Sequence, residues 1–292
     1  MNDTDNIFQR ICEDRDTLSR AFRQIADFLI AEPREFITNP MRVLSEKIGV
    51  SEPTLIRFAR HYGYQGLPDL RLSFAMSLAT RGTDVAADME PRLKDKEVVN
   101  RIAKQMIAAK AAELTAQDQS LLLDSGSTTQ FLAENLVSAP AKTILTTSLN
   151  SVLILRNAEQ HRLMMPGGIF RHGAMSLAGR MAEMNLADMT FDTAYIGADT
   201  LHPEHGISTY SEEEAHLNRA MIRASKRVVV LADASKFKGP ALHRICDLSD
   251  VDIIVSDSTL SSQVRSAIEA TSTELILAEL SLPNLELEDT HE

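Results

Sequence analysis

The run from Arg42 to His61 constrains the fold of this chain more than any other segment, because its apolar and polar positions fit two short helices joined by a sharp turn. Leu44 and Ile48 lie four apart and share a helix face, Gly49 supplies the backbone freedom of the turn, and Val50 can plug the angle between the helices. Ser51 is the natural N-cap of the second helix. Pro53 falls in its first turn, where a missing N–H removes no intrahelical bond. Leu55, Ala59 and Tyr62 form the buried stripe, which leaves Thr54, Arg57, Arg60 and His61 on the outer face, with Ser51 at its entry. A recognition helix carries its phosphate and base contacts on such a face, so the pattern predicts a helix-turn-helix that binds double-stranded DNA. The plainer alternative is a helical hairpin with no nucleic-acid role, since the same periodicity serves both.

A chain of 292 residues suits two domains, each large enough for its own core. A net charge of −11 is unusual for a DNA binder, yet residues 1–81 hold 11 basic and 11 acidic side chains, so the acidic excess lies in the remainder, which has 19 basic and 30 acidic residues. A neutral N-terminal domain with arginines on one face can approach phosphate while the acidic part points away. One such domain binds modestly, so display by a homo-oligomer, a dimer or tetramer, is expected. The two cysteines, Cys12 and Cys246, are too few for a disulfide framework or a thiolate metal site. No secretory pattern opens the chain and no apolar run nears the roughly 20 residues that span a bilayer, so a soluble cytoplasmic protein without a membrane partner is expected.

Asp16 to Ile30 reads as a helix before the turn and Asp69 to Thr80 as a closing helix, giving an all-α helix-turn-helix domain over 1–80. Composition shifts at Arg81-Gly82-Thr83-Asp84, and Met89-Glu90-Pro91-Arg92 adds a proline break, which places a linker at 81–94. Asp95 to Gln117 predicts one long amphipathic helix with Val98, Val99, Ile102, Met106 and Ile107 on one side. Beyond it, apolar runs at 121–123, 143–145, 194–196, 228–231, 253–255 and 275–277 read as buried strands, with helix-length segments such as Thr128–Val137 and Glu212–Ala224 between them. This alternation predicts an α/β domain over 95–292, a mostly parallel sheet covered by helices on both faces. Ligands of such sheets bind at the carboxyl ends of the strands.

Those ends are polar. Asp124-Ser125-Gly126-Ser127-Thr128-Thr129 runs from a strand into a helix and suits an anion cradle at a helix N-terminus, though an ordinary N-cap turn has the same composition. Thr146-Thr147-Ser148-Leu149-Asn150 repeats the arrangement one strand on. Further clusters are Met165-Pro166-Gly167-Gly168 with Arg171, Gly197-Ala198-Asp199, and Asp233-Ala234-Ser235-Lys236. Asp233 and Lys236 can bind a sugar hydroxyl and an anion, move a proton, or simply pair with each other. Ser211 and Glu214 read as a capping box, so the Glu212-Glu213-Glu214 run is assigned to a helix start. His202 and His205 flank a Pro-containing turn that holds them together poorly, so no metal is expected; nor is any cofactor. Met175, Met181, Met184 and Met189 read as adaptable packing.

Two resemblances add to this reading. Leu18 to Ala75 resembles the DNA-binding domain of RpiR-type regulators, through Ile25-Ala26-Asp27-Phe28-Leu29, the Val50-to-Thr54 turn, Arg57-Phe58 and Gly63-Tyr64-Gln65-Gly66-Leu67. Leu121 to Ala278 resembles DeoR-type sensor domains, through Asp124 to Thr129, Gly167-Gly168, Ser176-Leu177-Ala178-Gly179, Asp192 to Asp199, Glu214-Ala215 and Leu231 to Phe237. Such sensors are similar in fold to ribose-5-phosphate isomerase and bind phosphorylated sugars. The resemblance implies that Asp124, Ser125, Gly126, Ser127, Thr128 and Thr129 take the phosphate. It gives Asp199, Asp233 and Lys236 the sugar, with Thr147, Ser148, Gly168 and Arg171 as further lining. The two halves usually occur with other partners, so the chain resembles a hybrid.

The expected function is therefore a transcription regulator, a repressor of carbohydrate-catabolism genes with a phosphorylated-sugar effector and no catalytic residues. The rival is a sugar-phosphate isomerase with a DNA-binding appendage, using Asp199 or a neighbouring Glu as base and Lys236 to assist an enediolate. Against it, Thr200-Leu201 and a Pro/His turn follow Asp199, where the isomerases similar in fold have an acid-rich segment and a glycine-rich Lys loop. A third reading, an α/β domain that only oligomerises, leaves the polar strand ends without a purpose.

Overall fold

A computed structural model describes residues 6–79 and 92–279 of the chain. The N-terminal part is helical: α1 (Ile7–Asp14), α2 (Arg20–Ala31), α3 (Pro33–Thr38), α4 (Met41–Ile48), α5 (Glu52–His61) and α6 (Leu67–Ala79). The helix expected from Asp16 starts later, at Arg20, where Ser19 caps it by accepting from the Phe22 N–H; α1 and α3 add to the expected set. Gly49 ends α4 at φ +76°, a left-handed conformation that glycine adopts without steric cost, and Ser51 re-enters extended backbone before α5. Leu44, Ile48, Leu55, Phe58, Ala59 and Tyr62 then share one core with Ile25, Leu29, Phe36 and Phe74. Each large apolar side chain buried in it contributes about 1.5–3 kcal/mol, which holds the two helices of the turn at a fixed angle.

The long helix expected over 95–117 is broken. The chain forms α7 (Leu93–Val98) and α8 (Arg101–Leu114), separated at Val99 and at Asn100, which sits at φ +54°. The buried Lys104 ammonium donates to the carbonyls of Lys96 and Val99, so a side chain and not the next helical turn satisfies the end of α7. Val98 and Ile102 are accordingly exposed, and Ile107 alone of the five expected apolar residues is fully buried. Most of the expected linker lies outside the described residues, and α7 begins at its edge.

Beyond α8 lie β1 (Ser120–Leu123), α9 (Ser127–Leu136), β2 (Thr143–Thr146), α10 (Leu149–Leu155), β3 (Arg162–Met164), β4 (Ile169–Arg171), β5 (Ser176–Ala178) and α11 (Arg180–Leu186). They are followed by β6 (Phe191–Gly197), β7 (Thr200–His202), β8 (Gly206–Thr209), α12 (Glu212–Arg223), β9 (Ser225–Leu231), β10 (His243–Cys246), β11 (Ile253–Asp257), α13 (Ser262–Glu269) and β12 (Glu274–Ala278). Seven strands form a parallel sheet in the order β12-β11-β9-β6-β1-β2-β3, and all six expected strands are in it. Alternate residues enter cores on opposite faces: Leu121 and Leu123 on one side with Ile107 and Phe131, and Leu122 on the other with Met221 and Leu186. A strand buried on both faces reads as a continuous apolar run, which is why these strands were visible. The missed strands are short: edge strand β3, the β4–β5 hairpin, and the antiparallel trio β10-β8-β7. Strand order reverses at β1, with β2 on one side and β6 on the other, so the connections leaving the carboxyl ends of β1 and β6 run to opposite sides, the usual place for a ligand crevice.

Candidate functional site

A polar cleft lies at the carboxyl ends of these strands. Its walls come from five segments: Asp124, Gly126, Ser127 and Thr128 after β1; Gly197, Ala198 and Asp199 at the end of β6; Leu231, Asp233 and Lys236 after β9; Glu214 of α12; and Lys96 of α7. Seven of the thirteen residues expected to bind an effector therefore converge: Asp124, Gly126, Ser127, Thr128, Asp199, Asp233 and Lys236.

The turn after β1 brings the first turn of α9 to the cleft, where its backbone N–H groups favour an anion. Thr129 faces away and closes the turn, its hydroxyl donating to the carbonyls of Asp124 and Gly126, both at 2.8 Å. Gly126 has an ordinary φ of −71°, so its glycine is not needed for a left-handed backbone; a Cβ there would stand 3.7 Å from the Cα of Gly197. That is an ordinary van der Waals contact, so the spacing of the two strand ends does not itself demand glycine. The Asp124 carboxylate spans the same gap by accepting from the Gly197 N–H at 3.1 Å. Burial raises its pKa against the lowering effect of the Ser125 and Gly197 N–H groups.

Across the cleft, Asp199 pairs with the Lys96 ammonium at 2.9 Å and accepts from the Thr209 hydroxyl at 2.9 Å and, more weakly, from the Tyr210 N–H at 3.4 Å. Burial alone would raise its pKa, but Lys96 and Lys236 outweigh burial and hold it below the usual carboxylate range. Asp233 is held down in the same way, by Lys236 and Lys104 against burial. Its Oδ1 accepts from Asn100 Nδ2 at 2.9 Å and from Ser235, while its Oδ2 is buried with no hydrogen-bond partner among the described residues. Asp257, at the end of β11, braces this loop by accepting from the Ala234 N–H at 2.7 Å. Behind the wall, desolvation and the neighbouring Lys236 lower the Lys104 ammonium to a pKa of about 7.

The remaining expected residues stand outside the cleft lining. Ser148 is buried as the N-cap of α10, accepting from the Ser151 N–H, and Thr147 is buried beside it. Gly168, at φ +147°, is required by packing, since a Cβ would fall 2.5 Å from the Ala178 carbonyl. Arg171 meets Ser211 Oγ at 3.0 Å and Glu214 Oε2 at 3.4 Å, so it borders the lining through Glu214. Ser211 caps α12 as expected by accepting from the Glu214 N–H, whereas the Glu214 side chain is buried and turned toward Arg171 and the cleft. Lys96 and Asn100 carried no local signal at all, because their roles depend on where α7 lands. The 202–206 turn stacks the His202 and His205 rings at 4.7 Å, closer than the sequence suggested, with ligating atoms of His202, Glu204 and His205 within 4.8 Å of one another. Met181 and Met184 are exposed, contrary to the packing role expected of them.

On α5, Ser51, Pro53, Arg57, Arg60 and His61 are exposed on one side. Thr54 is a correction, being only 7% exposed. Its hydroxyl lies 2.8 Å from Ser51 Oγ and accepts from Arg57 Nη2 at 3.2 Å, because the first turn of α5 tucks against α4 and turns position 54 inward. Thr54 therefore braces Arg57 and Ser51.

The DeoR C terminal sensor domain matches residues 99–258, and the helix-turn-helix domain of the rpiR family matches residues 5–81. An Escherichia coli O157:H7 protein named as a candidate aga operon transcriptional repressor is 33% identical over 189 residues, 65% of this chain and 70% of its own. The HTH-type transcriptional regulator GlpR of Haloferax volcanii is 29% identical over 227 residues, 78% of this chain and 86% of its own. Among solved structures, ribose 5-phosphate isomerase A from Neisseria gonorrhoeae is 19% identical with a TM-score of 0.32, covering 47% of this chain and 53% of its own.

Proposed function

Because the chain belongs to the DeoR sensor-domain family and carries an rpiR-type helix-turn-helix, it is a transcription regulator, and we propose that it represses carbohydrate-catabolism genes under the control of a phosphorylated sugar bound in the strand-end cleft. The observation that carries the effector reading is the unpartnered Oδ2 of Asp233, buried in a wall of the same cleft that receives the first turn of α9. A buried carboxylate oxygen without a donor is costly, and a sugar hydroxyl is the donor that would relieve it. The α9 turn takes the phosphate and Lys236 adds the positive charge. Arg57, Arg60 and His61, with Ser51 at the helix entry, are assigned to DNA, and two copies or more are needed to read an operator. Repression agrees with the name of the aga operon relative. Among the described residues no helix is long and apolar enough to cross a membrane, and the regulator is assigned to the cytoplasm on its DNA target.

The cleft suits holding better than turnover. A general base works best with a pKa near the working pH, whereas Asp199, the base of the isomerase alternative, is held well below it by Lys96 and Lys236. The test is a thermal-shift panel of ribose 5-phosphate, fructose 6-phosphate and glycerol 3-phosphate, each beside its unphosphorylated parent. A ligand that binds only the folded state raises stability by about 2.7 kcal/mol at a hundredfold excess over Kd. Stabilisation by one of the phosphates without its parent is expected. Equal shifts for both would exclude the anion cradle, and turnover of a bound phosphate at about 1 per second would establish an enzyme.

A further inference from the structure

One short helix touches both halves of the molecule through adjacent residues. On α7, Lys96 reaches into the cleft to Asp199, while Asp95, next to it, pairs with Arg71 of α6 at 3.2 Å. Arg71 is buried and also donates to the Asn39 carbonyl at 2.5 Å. Helix α7 ends at Val99 and Asn100, where Lys104 of α8 donates to the Lys96 and Val99 carbonyls and Asn100 Nδ2 donates to Asp233 of the cleft, so its far end is tied to both. A second bridge has the same form: Lys236 lines the cleft, and two residues on the Lys238 ammonium lies 2.8 Å from Met76 Sδ, again on α6. Helix α6 supplies Leu70 and Phe74 to the core that also holds Phe58 of α5.

We propose that Lys96 is an effector ligand and that α7 is the relay: the anionic group of the effector draws Lys96 from Asp199, and the resulting shift of α7 moves Arg71, α6 and the recognition helix through Asp95. The inference rests on the effector reading above. Its physical basis is competition for one ammonium between two anions, Asp199 and the phosphate. Binding can shift an equilibrium only through such a difference in contacts between the two states. Asp95 is not itself a residue of the cleft lining, so its side chain is expected to carry coupling and little affinity.

The test is hydrogen exchange on the full chain with saturating inorganic phosphate, against chloride at equal ionic strength, with phosphate affinity measured by calorimetry. In the native protein, exchange over 124–129, 93–98 and 67–79 should change together, the last by about fivefold or more, the lower end of ordinary coupling. Lys96→Met should weaken phosphate binding about ten- to a hundredfold, the value of a charge-assisted hydrogen bond. Asp95→Asn keeps an acceptor for Arg71; it should bind phosphate within about twofold of native while losing the response over 67–79. Protection at 124–129 with no change at 93–98 or 67–79 would overturn the relay alone. So would an Asp95→Asn protein that still transmits the change, or a Lys96→Met protein that binds phosphate normally. No protection anywhere, 124–129 included, would overturn the effector reading and the relay with it.

Discussion

The recognition helix and the cleft are built in opposite ways. The first is one contiguous segment, residues 51–61, whose outward face is what remains once Leu55, Phe58 and Ala59 are buried. The second draws on five segments from Lys96 to Lys236, and none of them forms a site by itself. Consequently the DNA-reading surface depends on packing beneath it and tolerates change on its face one contact at a time. The cleft depends on convergence, so a change at one wall alters the whole site. Its buried charges also hold each other's protonation states, as Lys96 and Lys236 do for Asp199.

Phe58 is fully buried and edge-on to Phe22 and Tyr62 at 5.5 and 5.2 Å. Phe58→Ala should cost about 3–5 kcal/mol of N-terminal domain stability. Chemical denaturation should show that loss and gel shift the loss of operator binding, while the phosphate-binding cleft persists. At the cleft, Gly126→Val should direct its methyls toward Gly197 and the anion position. A loss of about a hundredfold in sugar-phosphate affinity corresponds to roughly 2.7 kcal/mol. Because φ at 126 is already that of an ordinary residue, the circular dichroism spectrum and operator binding should be unchanged.

Smaller effects sharpen the electrostatic half of the contrast. Lys104 has a pKa lowered to about 7 behind the cleft, and a bound anion favours its protonated form. At pH 6 the ammonium is already charged and binding takes up no proton there. Above pH 7 binding must draw a proton onto Lys104, so affinity should fall as pH rises from 7 to 9, by at most tenfold per unit from this group. The phosphate is dianionic throughout that range and does not contribute the change. Calorimetry in buffers of different ionisation heat should show proton uptake at pH 8, and Lys104→Met should reduce it, leaving the share of Lys238, whose ammonium is also lowered to a pKa of about 7 by burial and Lys236. Smallest of all, Arg57→Ala and Arg60→Ala should each reduce the slope of log affinity for operator against log salt by about 0.9. Sugar-phosphate affinity should be untouched, and a normal salt slope in both variants would remove them from the interface.

Wherever local pattern and burial coincide, the sequence alone determined the outcome. The turn at Gly49 and Val50, the stripe of Leu55, Ala59 and Tyr62, and the six central strands were legible because a helix face or a doubly buried strand imposes its own spacing of apolar residues. The Asp124-to-Thr129 turn and the Asp233–Lys236 loop were legible as strand-end chemistry, and seven of their residues and neighbours do meet. Tertiary structure alone decided the rest. Thr54 was turned inward by the packing of α4, Ser148 was taken up by a helix cap, and Gly168 by the closeness of a hairpin carbonyl. The predicted long helix was cut at Asn100, where nearby Lys104 takes up the carbonyls at the end of α7 and Asp233, remote in sequence, accepts from Asn100. Lys96 entered the cleft only because that cut redirects α7. Periodicity records which side of an element faces a core; it holds no record of which charges from separate elements will be brought within 3 Å of each other.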